Sequence, residues 1–233
     1  MTRGLAIVGY GKMGRMLERL APEYGFEVRL KLSSQENAAA HAITAEKLRG
    51  VDAAVEFTGP DVAVTNLQKL AELGVATVCG TTGWFAELDS VKSRISTNGS
   101  GLVWGANFSV GVNLFREIVA EAARRLAREE SYGAWGWEIH HSAKRDAPSG
   151  TLLALAEEMK RTGFAQEISL SANRAGAVAG THEIGFDSPE DTITIRHTAK
   201  SREGFARGAL RAANWVIGKQ GVFEFREILG ELK

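Results

Sequence analysis

Close to the start of the chain a short apolar run, Leu5–Val8, leads directly into Gly9-Tyr10-Gly11-Lys12-Met13-Gly14, and a helical stretch, Arg15–Leu20, follows at once. A G-x-G-x-x-G triplet set between a strand and a helix leaves few folds open. A side chain at the first glycine would block the tight turn. One at the second would keep a pyrophosphate off the backbone, and one at the third would hold the helix away from the strand. The helix start beyond it offers unpaired N–H groups and a partial positive charge to phosphate. The chain is therefore expected to open with a Rossmann-type, parallel-sheet α/β domain. Gly9, Tyr10, Gly11, Lys12, Met13 and Gly14 should lie around a dinucleotide.

The pattern downstream fits that start. Glu27–Leu32, Ala53–Phe57, Ala76–Cys79 and Leu102–Trp104 read as further strands separated by helical stretches, which implies crossover connections. After the third strand, Pro60 suits a first helical position, Val64, Leu67, Leu70 and Ala71 form one face, and Gly74 supplies the stop. From Gly111 the texture changes: Phe115, Ile118, Val119, Ala122 and Leu126 recur at helical spacing in a segment that ends near Glu130. A strand at Trp135–Ile139, a polar loop and a helix after Gly150 come next. Strands near Ile168–Leu170, Thr181–Phe186 and Thr192–His197 then suggest an antiparallel or mixed sheet, with Asp187-Ser188-Pro189 as a turn. A last helix, Phe205–Ile217, carries Ala209, Ala212, Ala213 and Val216 on one face and suits packing back onto the first domain. The expected organisation is a dinucleotide-binding domain of residues 1–108 with 203–233 and an α+β, mixed-sheet substrate domain of residues 109–202.

Composition narrows the class further. With 44% hydrophobic residues and 28 basic residues balanced by 28 acidic ones, the chain is that of a soluble globular protein, and nucleic acid and membrane surfaces lose their electrostatic motive. The single cysteine, Cys79, excludes a disulfide framework and favours a reducing compartment. No apolar run nears the roughly 20 residues that span a bilayer, and the N-terminus lacks a signal-peptide core. A cytoplasmic location is expected. Trp84, Trp104, Trp135 and Trp137 are expected to be core residues.

Cofactor preference stays open. The second strand ends Lys31-Leu32-Ser33-Ser34-Gln35, without the acidic residue that usually holds a ribose 2′-hydroxyl. Ser33, Ser34 and Lys31 suit a 2′-phosphate, and Glu36 suits a hydroxyl if the turn is one residue longer, so NADPH and NADH both remain. Two loops at the carboxyl ends of strands, Gly80-Thr81-Thr82-Gly83 and Ala106-Asn107-Phe108-Ser109, stand where open α/β sheets place their ligands.

The densest chemistry is in Glu138-Ile139-His140-His141-Ser142-Ala143-Lys144-Arg145-Asp146-Ala147-Pro148-Ser149-Gly150-Thr151. Adjacent histidines on an extended strand face opposite sides, and no third Cys or His ligand lies close in sequence, so no metal is expected. Imidazole titrates near working pH, which suits one histidine to proton donation and the other to substrate contact. Lys144 adds a second donor, and the helix opening at Pro148-Ser149-Gly150-Thr151 suits a carboxylate. The segment reads as a site for a small anionic substrate.

The glycine triplet, Gly80-Thr81-Thr82-Gly83, the run from Ala106 through Asn107, Phe108, Ser109, Val110, Gly111 and Val112 to Asn113, and above all His140-His141-x-x-Lys144-x-Asp146-Ala147-Pro148-Ser149-Gly150-Thr151 resemble the 4-hydroxy-tetrahydrodipicolinate reductase family. Arg174-x-Gly176, Gly180-Thr181-His182, and His197 through Arg202 into Phe205-Ala206-x-Gly208-Ala209 continue the resemblance over nearly the whole chain. It implies NADPH- or NADH-dependent reduction of a cyclic, imine-type dicarboxylate. It also implies His140 as proton donor, His141 as substrate contact, Lys144 as second acid and anion partner, and Gly150 and Thr151 as carboxylate binders. Gly9 to Met13, Gly80, Thr81 and Thr82, and Gly105, Ala106, Asn107 and Phe108 are similar to the family's cofactor-contacting stretches, and a homotetramer built through the substrate domain is implied. The segment between Leu32 and Val51 is shorter than in typical members and lacks their acidic or acidic–basic pair. A homoserine-type or other amino-acid dehydrogenase on the same first domain, and a non-catalytic dinucleotide sensor, are the competing readings; the histidine–lysine run and the neutral charge weigh against them.

Overall fold

The computed structural model describes residues 2–232, which fall into two units: the N-terminal stretch to Val110 joined by the chain from Glu203 onwards, and Gly111–Arg202. Unit 1 is built on a six-stranded sheet of β1 (Arg3–Val8), β2 (Phe26–Leu32), β3 (Ala53–Glu56), β4 (Ala76–Cys79), β5 (Gly101–Trp104) and β10 (Gly221–Glu224). The order is β10-β5-β4-β3-β1-β2 and every pairing is parallel. The chain runs outward from β1 to β2, then reverses through β3, β4 and β5. That reversal beside β1 is where such sheets open a crevice at their carboxyl ends.

Helices α1 (Lys12–Leu20), α2 (Pro60–Glu72), α3 (Leu88–Asn98) and α6 (Glu203–Val216) belong to this unit. The central strands are buried on both sides, as a parallel sheet requires: Leu5, Ile7, Val55 and Val78 pack with Ala206, Ala209, Ala213 and Val216 of α6. Pro60 stands at the first turn of α2, and Gly74 ends the connection with a φ of 69° that suits glycine. Of two further elements, one is expected only as a helical stretch without bounds and the other escapes the sequence reading. Helix α3 has three apolar residues, Leu88, Val91 and Ile95, of which Val91 and Ile95 are buried, so its face is marked but its ends are not. The four residues of β10 show no alternation and become a strand only because β5 offers them an edge, with Val222 opposite Leu102. The last helix begins two residues earlier and ends one earlier than its spacing predicts.

Unit 2 holds α4 (Val110–Leu126), which starts at the boundary, then β6 (Gly133–His140), α5 (Gly150–Arg161), β7 (Ile168–Arg174), β8 (Thr181–Asp187) and β9 (Thr192–Thr198). The sheet is mixed, ordered β7-β6-β8-β9: β6 pairs parallel with β7 and antiparallel with β8, and β8 antiparallel with β9. Helix α5 forms because Ser149 caps it, accepting from the Leu152 N–H. Its Leu152, Leu155, Ala156 and Met159 then recur on one buried face. Lys160 and Arg161 suit its last turn, and Gly163, at φ 97°, turns the chain away. Leu152, Leu155 and Met159 pack with Phe115, Val119, Ile184 and Phe186; each such fully buried side chain contributes about 1.5–3 kcal/mol of transfer free energy.

The tryptophans correct an expectation. Trp84 is buried and donates to the Thr81 carbonyl, but Trp104, Trp135 and Trp137 are only half-buried. For Trp135 and Trp137 alternation on β6 is the reason: Ala134, Gly136, Glu138 and His140 take the face toward the unit 2 core, leaving these two on the opposite face. There the Trp135 ring lies over Gly185, where any Cβ would collide with it.

Candidate active site

Residues two apart on a strand share a face, so β6 presents Glu138 and His140 together on its buried side. Strand register completes the set. Glu138 lies opposite His182 on β8, His140 beside Arg174 on β7, and His182 opposite His197 on β9. The start of α5 closes over this end of the sheet and brings Ser149 down onto Glu138.

Glu138 is fully buried and is the hub. One carboxylate oxygen accepts the Ser149 N–H at 2.8 Å and an Arg174 guanidinium N–H at 2.8 Å. The other accepts the Ser149 hydroxyl and lies 3.3 Å from His182 Nε2 and 3.7 Å from His140 Nδ1. Burial alone would raise this carboxyl, but the hydrogen bonds from Ser149 and Arg174 outweigh it and hold the group below its ordinary range. Burial dominates the two imidazoles instead. His140 is pushed down by desolvation, with Glu138 pulling the other way, and His182 is pushed down to about 4 by desolvation and by His140. His182 is thus a neutral ring near pH 7. Its Nε2 must carry the hydrogen, because Glu138 only accepts and the Ser149 hydroxyl has already given its proton to Glu138.

His140 is 8% exposed and meets His182 edge-on, ring centroids 5.0 Å apart, and its Nε2 lies against Gly180, where an added Cβ would stand 2.9 Å from it. His141 is half-exposed, the opposite exposure that adjacency on a strand end implies. Lys144 Nζ holds both Asp146 carboxylate oxygens, at 2.7 and 2.8 Å, and this ion pair keeps the Asp146 carboxyl below its ordinary range. Gly150 begins α5 with open space around its Cα, and the half-buried Thr151 follows in the first turn. A cation and an uncrowded helix start therefore lie within a few residues of a buried imidazole. That set can grip a carboxylate and move a proton.

Along the sequence no third Cys or His ligand lies near the paired histidines, but folding brings further donors in. Glu138, His140 and His182 each have a ligand atom within 4.8 Å of the others. The Glu138 oxygens, however, already accept from Ser149 and from the cationic Arg174, so a divalent ion would be set against a guanidinium. Sequence reading gave Glu138, Arg174 and His182 no role. The available signal was the i, i+2 spacing of Glu138 and His140; the contributions of β7 and β8 needed the register.

In unit 1 the turn after β1 bears out the steric demands on its glycines. Gly9 has φ 101°, and a Cβ there would strike the Phe57 carbonyl; at Gly14 it would strike the Gly9 carbonyl, fixing α1 against the strand. At Gly11 a Cβ would meet nothing within 4 Å, and α1 begins there with no side-chain cap. Open space in front of uncapped N–H groups is a cradle that fits a pyrophosphate. It opens on a cleft of about 710 Å³ lined by Gly9, Tyr10, Gly11, Ser33, Thr58 and Asn66. The fully buried Glu56 organises its floor, taking hydrogen bonds from Thr58 Oγ1, from Asn66 Nδ2 at 3.4 Å and from Cys79 Sγ at 3.1 Å.

The other expected cofactor residues are spread more widely. Thr81 accepts the Thr58 N–H at 2.7 Å, Gly80 has the Phe57 ring where a Cβ would go, and Thr82 is exposed. In the loop after β5, Gly105 is buried, Ala106 is exposed, and Asn107 accepts the Ser109 N–H at 2.8 Å. Phe108 is a core residue, 1% exposed between Phe57 and Phe225. Lys12 and Met13 lie in the first turn of α1. Lys31 is tied to Glu18 at 2.9 Å, and Glu36 folds back to accept the Ser33 N–H and hydroxyl.

Comparison with known proteins identifies the family. Residues 4–108 match the family description "Dihydrodipicolinate reductase, N-terminus" and residues 111–229 the description "Dihydrodipicolinate reductase, C-terminus". The chain is 33% identical over 240 aligned positions to a 4-hydroxy-tetrahydrodipicolinate reductase of Christiangramia forsetii, covering 98% of each chain. It is 37% identical over 203 positions to one from Chromohalobacter salexigens, covering 77% of this chain and 73% of that one. Among solved structures, a dipicolinate-bound dihydrodipicolinate reductase from Paenisporosarcina sp. TG-14 shares the fold, with a TM-score of 0.82 at 21% identity over 98% of this chain and 100% of that one. With both halves of its length matched and a relative this similar end to end, the chain belongs to the dihydrodipicolinate reductase family of NAD(P)H-dependent oxidoreductases.

Proposed function

We propose that this chain reduces 4-hydroxy-tetrahydrodipicolinate to tetrahydrodipicolinate, a step of lysine and diaminopimelate biosynthesis, with NADH or NADPH as reductant and His140 as proton donor. The observation that carries the residue assignment is the juxtaposition, at one end of the unit 2 sheet, of a buried imidazole, the Lys144 ammonium and the start of α5. When bound, the nicotinamide would supply a hydride to the conjugated C=C–C=N system that the ring carries once its 4-hydroxyl has left as water. His140 gives the matching proton, and Lys144 serves as the second acid. The Lys144 charge and the Gly150 and Thr151 N–H groups hold the substrate carboxylates and lower the cost of the charge that develops during transfer. His141 contacts the substrate from the exposed side of the strand end. Gly9, Gly11 and the α1 start hold the pyrophosphate, with Ser33 at the rim of the same cleft. The protein's part is chiefly positioning, since the hydride chemistry belongs to the cofactor.

The homotetramer and the cytoplasmic location belong to the same proposal. The face of the β6–β9 sheet away from α5, with half-buried Trp135 and Trp137, supports the first. No helix among the described residues is long and apolar enough to cross a membrane, which is compatible with the second. The test is the rate of NADH and NADPH oxidation with substrate generated in situ from pyruvate and aspartate semialdehyde by the preceding synthase. Oxidation should depend on the synthase. His140→Gln should lower turnover by about 10²–10⁴-fold and leave dinucleotide affinity unchanged. Unchanged turnover would remove His140 from its role.

A further inference from the structure

A buried proton donor meets a difficulty that the exposed Lys144 region does not. His140 must carry an extra proton before it can give one up, yet it is 8% exposed and its Nδ1 is buried without a hydrogen-bond partner. A buried polar atom left unpaired is costly, and it marks a place where a different protonation state is expected to find its partner. The atom it faces is a Glu138 carboxylate oxygen, 3.7 Å away. That carboxylate is fully buried, held rigidly by Ser149 and Arg174, and in register with the donor on the same strand.

We propose that Glu138 is the positioning residue of the reduction: its buried carboxylate receives Nδ1–H of the His140 imidazolium and so directs Nε2–H, on the far side of the ring, to the substrate. In the proton-transfer step the Nε2–H bond breaks and its electron pair stays on the ring. The proton bonds to the reduced substrate, and His140 is left neutral with its hydrogen on Nδ1. A proton from water then restores the imidazolium. This rests on His140 being the donor. Glu138 touches no substrate and acts only through the imidazole.

Other charged groups around the ring cannot take this part. Lys144 from the loop and Arg174 from β7 are cations and disfavour the imidazolium. Asp146 favours it, but its carboxylate is already held by Lys144. His182 from β8 is neutral near pH 7, with His197 of β9 behind it, and α5 contributes only the Ser149 hydroxyl. Glu138 is therefore the anion that counters desolvation at His140. Its second oxygen, shared with Ser149 and Arg174, couples the proton donor to the α5 start that grips a carboxylate.

The experiment uses the full-length protein labelled with 15N at histidine. In the wild type, the ring nitrogens of neutral His140 should report the Nδ1–H tautomer; the Nε2–H tautomer overturns the proposal, and this reading needs no variant to fold. In Glu138→Gln, the His140 pKa should fall by about one pH unit or more, the effect of losing an opposite charge at this distance. The alkaline limb of the kcat profile should move to lower pH by the same interval while NADH affinity holds. Glu138→Asp, which keeps the charge on a shorter stem, should recover part of both effects. An unchanged His140 pKa in Glu138→Gln, with His140→Gln inactive, refutes the role given to Glu138 and leaves His140 as donor. Full activity in His140→Gln refutes the donor assignment, and the proposal with it, whatever the tautomer shows.

Discussion

Lowering the pH should destabilise unit 2 through His182. In the folded protein this ring is pushed down to about 4, whereas its ordinary value is 6.5. A histidine depressed by folding binds fewer protons native than unfolded, so stability is complete above the unfolded value and is lost as pH falls from there toward the folded value. At ~pH 7.5 both states are neutral and nothing is lost. At ~pH 5 the unfolded ring is nearly all protonated and the folded one is not, and linkage makes the difference about 2 kcal/mol. His140 and His197 are depressed in the same direction and add to the loss. Glu138 does not contribute in this window, because a carboxyl held below its ordinary range loses its stabilisation only at more acidic pH.

Hydrogen exchange of the β6 and β8 amides, corrected for its intrinsic pH dependence, measures this locally. Between ~pH 7.5 and ~pH 5, wild-type protection should fall by at least about 30-fold. In His182→Gln, whose amide can still donate to Glu138, the His182 share of that fall should vanish. The same pH dependence in both proteins, or protection that grows on acidification, would refute the claim that a neutral, desolvated His182 sits under the site.

Two glycines of the first turn should separate folding from binding. Gly9→Ala places a Cβ against the Phe57 carbonyl at a positive φ, and should cost more than the roughly 1–3 kcal/mol of backbone strain alone, read as a large fall in Tm. Gly11→Ala meets nothing, so Tm should hold while the Kd for NADH rises at least about tenfold, or ~1.4 kcal/mol; unchanged affinity would dissociate this cradle from the pyrophosphate. Ser149→Ala removes the α5 cap and a hydrogen bond to a buried carboxylate together, and should destabilise by about 2–4 kcal/mol in urea unfolding, with a loss under about 1 kcal/mol counting against the network. Glu36, ionised beside Ser33 at the cleft rim, sets a negative charge against a ribose 2′-phosphate, so NADH should be the better reductant. Glu36→Gln should raise kcat/KM for NADPH relative to NADH; a constant ratio would show that Glu36 does not set the preference.

The elements that were legible in the sequence are those whose signals are local. The glycine turn, the Pro60 start and Gly74 stop of α2, and the start of α5 at Gly150 each follow from constraints within about a dozen residues. The elements left vague or missed are those whose reason lies elsewhere in the chain. Helix α3 carries only Leu88, Val91 and Ile95 as apolar residues, which leaves its ends unmarked, and β10 is extended because β5 has a free edge. Half-buried Trp135 and Trp137 show the same limit, since alternation fixes that they share a face but not which face of the sheet the helices cover.

At the site the division has one physical basis. By itself the sequence determined which groups are available: two adjacent histidines on opposite sides of a strand, a lysine three residues on, and a helix start that suits an anion. Those are matters of spacing and chemical type. Only the tertiary structure decided their protonation and coupling. The β6–β8 register put His182 against Glu138, the β6–β7 register put Arg174 beside His140, and α5 lowered Ser149 onto the carboxylate. Desolvation and charge act through distance in space, and residues 36 and 44 positions apart, Glu138 with Arg174 and Glu138 with His182, have no sequence signature of their meeting until the sheet has formed.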